Sequence, residues 1–226
     1  MGLLNSGAPH AVGVLVKNTN RPRSWVITAS LVLAASLMAA VPALAVPAGP
    51  ALLKVTSGTA TFCLDPQARQ ALDDAGIAMS AGAPAQLLTV GPQPCVTTYV
   101  DEGAVSLGLT GGDFPFDGSI VFTRASDAAA VTFTEIGVTF GVPGTVTAKA
   151  DSAAPITLLD FIVLPGNIMT DGRYLIAHDV PLNLTAAGVD AFATAFGDSP
   201  VETGESLFSG TGHGYLEAGT LLPALG

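Results

Sequence analysis

From residue 56 onward the chain is built of short runs in which polar and apolar residues alternate. Val131-Thr-Phe-Thr-Glu-Ile136 begins with a strict period of two, and Thr145-Val-Thr-Ala-Lys149 repeats it. That is the spacing of a strand with one buried face. Strand-like runs also cover Thr56–Leu64, Ile77–Met79, Val96–Val100, Val105–Leu109, Phe116–Phe122 and Val138–Val142. Toward the end they cover Tyr174–His178, Val180–Leu184, Ser206–Gly210 and His213–Leu216. Residues 46–54 read as a Pro-rich, extended lead-in. Residues 80–95 read as loop with one short strand, Gln86–Val90. Ile156–Leu164 is almost continuously apolar and reads as a central buried strand, in which Asp160 would need a partner.

Only two stretches have helical spacing. Asp65-Pro66 opens the first: Asp is a good N-cap, and Pro suits the first turn, where its missing N–H would have no partner anyway. Ala68, Ala71 and Leu72 follow, and Gly76 ends it. Thr185 caps the second, in which Val189, Phe192, Ala193 and Phe196 form one apolar stripe before Gly197-Asp198. About ten short strands with two helices predict an all-β fold, an antiparallel sandwich or partly closed barrel. A parallel layered fold would need more helices.

The two helical stretches share an order. Ala60-x-Phe62-x-Leu64-Asp65 leads into Ala68 and Ala71-Leu72; Val180-x-Leu182-x-Leu184-Thr185 leads into Gly188 and Ala191-Phe192. The echo fits two related strand–helix units in a pseudo-symmetric sheet. It fits equally two ordinary strand–cap–helix junctions.

The amino terminus breaks the alternation. Lys17, Arg21 and Arg23 precede an apolar run from Trp25 to Val41, and Ala43-Leu44-Ala45 ends it. Charge, apolar run and small residues in that order predict a secretory signal over residues 1–45, cut near Ala45. The competing expectation is a retained anchor, for which a run of about 17 residues is short. Residues 46–226 then form one extracytoplasmic domain, secreted or held in the cell envelope, with no membrane attachment once the signal is removed.

Charge narrows the partners. All 18 acids lie in residues 46–226 beside five bases, Lys54, Arg69, Arg124, Lys149 and Arg173, a net charge of −13 (5 − 18). Nucleic acid binding needs clustered cations, so it is not expected. Cys63 and Cys95 are the two cysteines, and in an oxidising compartment they are expected to form a disulfide. Free thiols or a metal site are the alternatives, and zinc would need two further ligands.

The segments Gly58-Thr-Ala-Thr-Phe-Cys-Leu-Asp65-Pro-x-Ala-x-x-Ala-Leu72, Leu109-Thr-Gly-Gly-Asp113, Gly118-Ser-Ile-Val-Phe122 and Leu184-Thr185-x-x-Gly188-x-x-Ala191 carry a resemblance. The chain resembles the HtaA-type domain of secreted and cell-surface actinobacterial proteins. The resemblance implies a β-rich extracytoplasmic module, and some members bind haem through a Tyr ligand assisted by a His. Two features depart from that pattern. The Trp-Gly opening is missing, since the only Trp is Trp25, and the hairpin at Gly118–Thr123 lacks a His-Gly-Gly sequence. No ligand set therefore carries over.

The candidate residues come from spacing. His213 and Tyr215 are two apart and share a face if they lie on a strand; Tyr174 and His178 are four apart and do the same. A Tyr phenolate can ligate ferric haem, and His is a versatile ligand or proton partner. Tyr174, His178, His213 and Tyr215 are thus haem candidates, with ordinary surface aromatics as the competing reading. Other chemistry is thinner. Ser209, His213 and Asp179 make a triad only on paper, and Glu135, Glu202, Glu205 and Glu217 lack aromatics to stack sugars. Asp117-Gly118 and Asp171-Gly172 read as turns rather than calcium loops. Asn183-Leu184-Thr185 fits a glycosylation acceptor but lies in a predicted strand. The expectation is a module that binds a small ligand or an envelope component, not an enzyme. A structural envelope protein without a ligand is the alternative.

Overall fold

A computed structural model describes residues 52–222 except 101, 107, 109 and 152, and excludes the side chains of 218–222. The predicted secretory signal lies outside the described residues. Thirteen strands and two helices follow one another as β1 (Leu52–Leu64), α1 (Pro66–Asp74), β2 (Ile77–Gly82), β3 (Gln86–Val90), β4 (Gln93–Val100), β5 (Gly103–Ser106) and β6 (Gly112–Phe116). Then come β7 (Ser119–Arg124), β8 (Ala130–Phe140), β9 (Gly144–Ala150), β10 (Pro155–Phe161), β11 (Ile168–Asp171), β12 (Tyr174–Leu184), α2 (Ala186–Phe196) and β13 (Ser206–Leu222).

Eight strands close an antiparallel barrel in the order β1-β13-β12-β10-β9-β8-β6-β5, and β5 returns to β1. Closure leaves the ring without a free edge. The remaining strands branch from it. β4 and β3 extend the second half of β1, β7 and β2 extend the first half of β8, and β11 pairs the first half of β12. The fold is all-β, and of the two predicted forms it takes the barrel, fully closed.

The strands are longer than their alternation suggests. β8 runs through Glu135 and β12 through Asp179, each with positive φ (49° and 45°) at an irregularity in the register. Each bulge takes up extra backbone and shifts the side-chain phase, so an unbroken strand reads as two. β13 likewise joins the two predicted terminal strands through Gly210, Gly212 and Gly214. Residues 52–54 belong to β1 rather than to a lead-in, and 80–95 contain parts of three strands rather than mostly loop.

Asp160 corrects a further expectation. It lies between Leu159 and Phe161, both buried, and is itself only partly buried. β10 therefore has one outward face, and the carboxylate needs no interior partner.

Both helix starts form as the sequence predicts. Asp65 accepts a hydrogen bond from Gln67 N, and Thr185 Oγ1 accepts one from Gly188 N at 3.1 Å. α2 ends at Gly197 in the left-handed region (φ 83°), its N–H bonded to Ala193 O. The two strand–cap–helix units are related in space: β1 and β12 pair with opposite edges of β13.

The core is aromatic at the helix end. Phe122 meets Phe133, Phe192 and Phe208 with ring centres 5.0–6.3 Å apart, and Phe62 meets Phe208 at 6.0 Å. Phe192 of α2 is fully buried. Arg124 ties this end together, donating from Nη1 to the Phe196 carbonyl at 2.7 Å and from Nη2 to Asp127 at 2.7 Å. Cys63 and Cys95 stand opposite each other on β1 and β4 and are joined as the predicted disulfide.

Candidate functional site

Alternation along β12 and β13 sorts their side chains cleanly. Leu175, Ala177, Val180 and Leu182 face the barrel interior. Tyr174, Ile176 and His178 therefore face outward. On β13 the inward row is Phe208, Gly210, Gly212, Gly214 and Leu216, which turns Ser209, Thr211, His213 and Tyr215 outward.

The register then brings most of the candidates onto one wall. Tyr174 is opposite Tyr215, and their rings meet edge to face with centres 5.7 Å apart. Arg173 donates from Nη1 to the Tyr215 hydroxyl at 2.9 Å, and this bond raises the guanidinium above its ordinary pKa. His213 is opposite Ile176 on one side and Thr59 on the other, with Nδ1 3.2 Å from Thr59 Oγ1. His178 faces the same way but lies four residues from Tyr174, roughly 13 Å along the strand.

Sequence spacing missed a fifth member. Tyr99 on β4 is the register partner of Thr59 and faces outward, because Thr98 and Val100 on either side of it are buried. Met169 on β11 is opposite Ile176 and half exposed. All three tyrosines of the chain thus lie on one outer wall made by β11, β12, β13, β1 and β4, with His178, His213, Ile176 and Met169 among them. Only strand register could have revealed this, because Tyr99 and Tyr215 are far apart in sequence.

The paper triad does not assemble. Ser209 and His213 are four residues apart on one continuous strand, about 13 Å, far beyond hydrogen-bond reach. Two of the acidic candidates serve local structure. Glu135 holds Lys149 at 2.7 Å, and Glu205 accepts from Glu202 N at 3.0 Å. Asp171-Gly172 opens the tight turn between β11 and β12, and Asp117-Gly118 the turn between β6 and β7. Among the described residues, no group of three or more His, Cys, Asp or Glu side chains could hold a metal ion. Asn183 lies within β12, partly buried, opposite Asp160 and Ser206.

No protein-family model matches the chain, and no curated protein does. Solved structures do. The C-terminal domain of HtaA from Corynebacterium glutamicum superposes with a TM-score of 0.53 at 17% identity, covering 73% of this chain and 99% of that one. The N-terminal domain of HtaA from the same organism gives 0.50 at 18% identity, with the same coverage. Likeness at this level of identity concerns the path of the backbone. The chain has the fold of the HtaA domains.

Proposed function

We propose that this chain is an extracytoplasmic binding module, and that its ligand lies against the outer wall formed by β11, β12, β13, β1 and β4. The observation that carries the proposal is the Tyr174–Tyr215 pair with Arg173 bonded to the Tyr215 hydroxyl. Aromatic residues are only 6% of the chain, yet its three tyrosines share this wall with one of the few cations. An exposed cluster of aromatic, imidazole and guanidinium groups is the composition of recognition surfaces. The Cys63–Cys95 bridge supports an oxidising compartment.

Ferric haem is the ligand that best suits this set. When bound, it supplies an Fe(III) centre that accepts a phenolate oxygen. Tyr215 is the residue to offer that oxygen, because Arg173 holds its hydroxyl at 2.9 Å on the exposed wall. Tyr174, Ile176 and Met169 give apolar surface for a flat ring system, and His213 offers an imidazole one strand step away. The wall, not an enclosed pocket, is the site.

Spectral titration of haemin into the purified protein tests this reading. We expect a saturable Soret shift that is lost in Tyr215→Phe, weakened in Tyr174→Ala and unchanged in Glu135→Gln. No saturable shift, or an equal shift in all variants, overturns the haem reading. An envelope protein without a small ligand would give that result.

A further inference from the structure

The two ends of the barrel are packed differently. At the helix end, phenylalanines from β1, β7, β8, β13 and α2 fill the interior. At the other end β13 contributes no inward side chain over three successive positions, Gly210, Gly212 and Gly214. Close strand approach enforces this: a Cβ at Gly212 would lie 2.8 Å from the Thr59 carbonyl oxygen of β1. Across from the bare backbone stand Phe114, Phe140 and Phe161, stacked edge to face at 5.4 and 5.9 Å. Ala60 and Ala177 add only methyl groups to the same wall.

The result is an interior void of about 100 Å³. Among the described residues, no Asp, Glu, Lys or Arg borders it, and its polar neighbours are Thr59, Thr211 and His213. A void of this order inside an apolar lining stays dry and accepts small apolar molecules. Such a gap lacks the contacts that close packing would give, and it persists because the glycines and alanines have nothing to extend into it.

A second, apolar cleft adjoins the void. Ile168 borders both, and the cleft, at the rim, measures about 310 Å³. The loops after β5, β8 and β10 form that cleft, through Gly108, Val142, Ile162 and Leu164 among others. It too has no charged side chain among the described residues. Its apolar side chains are exposed to water: Val142 is 89% exposed, Ile162 61% and Leu164 54%. Residues 46–226 carry a net charge of −13 (5 − 18), and three exposed aliphatic side chains converging at one barrel mouth of so acidic a segment mark a binding surface.

We propose that the open end of the barrel binds an uncharged alkyl chain, its tip inside the barrel beyond Ile168 and its remainder along the rim cleft. A void of about 100 Å³ is too small for a broad ring system and takes the end of a linear chain. The absence of cations along the path and the acidic surface favour a neutral molecule over a fatty-acid anion. This site shares strands with the wall, and Thr59, Thr211 and His213 border the void, but none of the three tyrosines does. The wall lies on the outer face of β12 and β13, while the void lies on their inner face.

The probe is 1-octanol, followed through the methyl resonances of the purified protein. Octanol is expected to move, saturably, the signals of Ile168, Leu182 and Val138, which line the void, together with Val142 at the rim. Ala177→Phe fills the void and should weaken binding by about tenfold or more, while Val142→Asp at the exposed rim should weaken it several-fold without disturbing the fold. Tyr215→Phe should leave it unchanged, which separates this site from the wall. Xenon under pressure gives a second reading on the unaltered protein and should move the same interior methyls. The proposal is overturned if octanol moves rim signals alone, or if Ala177→Phe folds and binds as tightly as the parent. It is equally overturned if neither octanol nor xenon moves the interior methyls.

Discussion

Tyr174 and Tyr215 stand opposite each other on β12 and β13, ring against ring edge, with Arg173 reaching from the adjoining turn to the Tyr215 hydroxyl. A cross-strand aromatic pair of this geometry contributes about 0.5–1 kcal/mol beyond its area burial. A double-mutant cycle of Tyr174→Leu and Tyr215→Leu, read by urea denaturation, should give a coupling energy of that size. A coupling of zero would mean the two rings do not hold each other.

Thr185 binds two parts of the fold through one hydroxyl. Its Oγ1 accepts from Gly188 N at the start of α2 and donates to main-chain carbonyls of β10. Thr185→Ala should cost about 1–2 kcal/mol, the upper part of the range for a lost cap. Asp65→Ala should cost about 1 kcal/mol or less, because the Asp65 carboxylate is seen only with Gln67 N at an exposed site. Chemical denaturation of the two variants gives the ranking.

Phe192 is the pivot of the helix end. It is fully buried against Phe122, Phe133 and Phe196. Phe192→Ala should cost about 3–5 kcal/mol, the range for an aromatic truncated in a closed core. Filling the opposite end with Ala177→Leu should be far milder, because the void there can take the added volume. Comparing their denaturation midpoints tests whether the two ends really differ in packing.

Asp127 predicts a feature of the acid limb. Its carboxyl is held at about 2, against an ordinary 3.8, first by the hydrogen bond from Arg124 and then by Ala129 N. A carboxyl with a lowered folded pKa contributes stability above its unfolded pKa and loses it as pH falls through the folded value. The contribution should be present at pH 5 and fade between about pH 4 and pH 2. Its size should be small, because the pair is at the surface. Melting temperatures of the parent and Asp127→Asn should differ at pH 5 and converge near pH 2. A constant difference across that range would show that the pair titrates no differently in the folded protein.

The Cys63–Cys95 bridge joins two paired strands at a sequence separation of 32. The double variant Cys63→Ser, Cys95→Ser should lose roughly 3–4 kcal/mol on the loop-closure estimate. Urea denaturation of the variant beside the oxidised parent measures it.

Local order was legible in the sequence wherever chemistry is local. Asp65-Pro66 and Thr185 announce helix starts because a capping oxygen needs only its next few neighbours. Most strands are legible for a similar reason, as alternation records which face is buried. Glu135 and Asp179 mislead because a bulge shifts the alternation without ending the strand. Asp160 misleads because its apolar neighbours make a half-buried strand resemble a buried one. Closure of the barrel is not legible, since alternation says which face is inside but not which strand lies alongside. The same limit hid Tyr99, which joins Tyr174 and Tyr215 only through the β4-β1-β13-β12 pairing. The cavity was hidden too: Thr211-Gly212 reads as a break between two strands, when Gly210, Gly212 and Gly214 are the bare wall of a continuous one.

The most direct measurement is amide and methyl NMR of the isotopically labelled protein with gallium protoporphyrin, a diamagnetic stand-in for ferric haem. Saturable shifts should cluster on residues 174–178 and 213–215, with Tyr99 and Met169 at the margin. Shifts centred on any other face of the barrel, or none at all, would contradict the outer tyrosine wall as the binding surface.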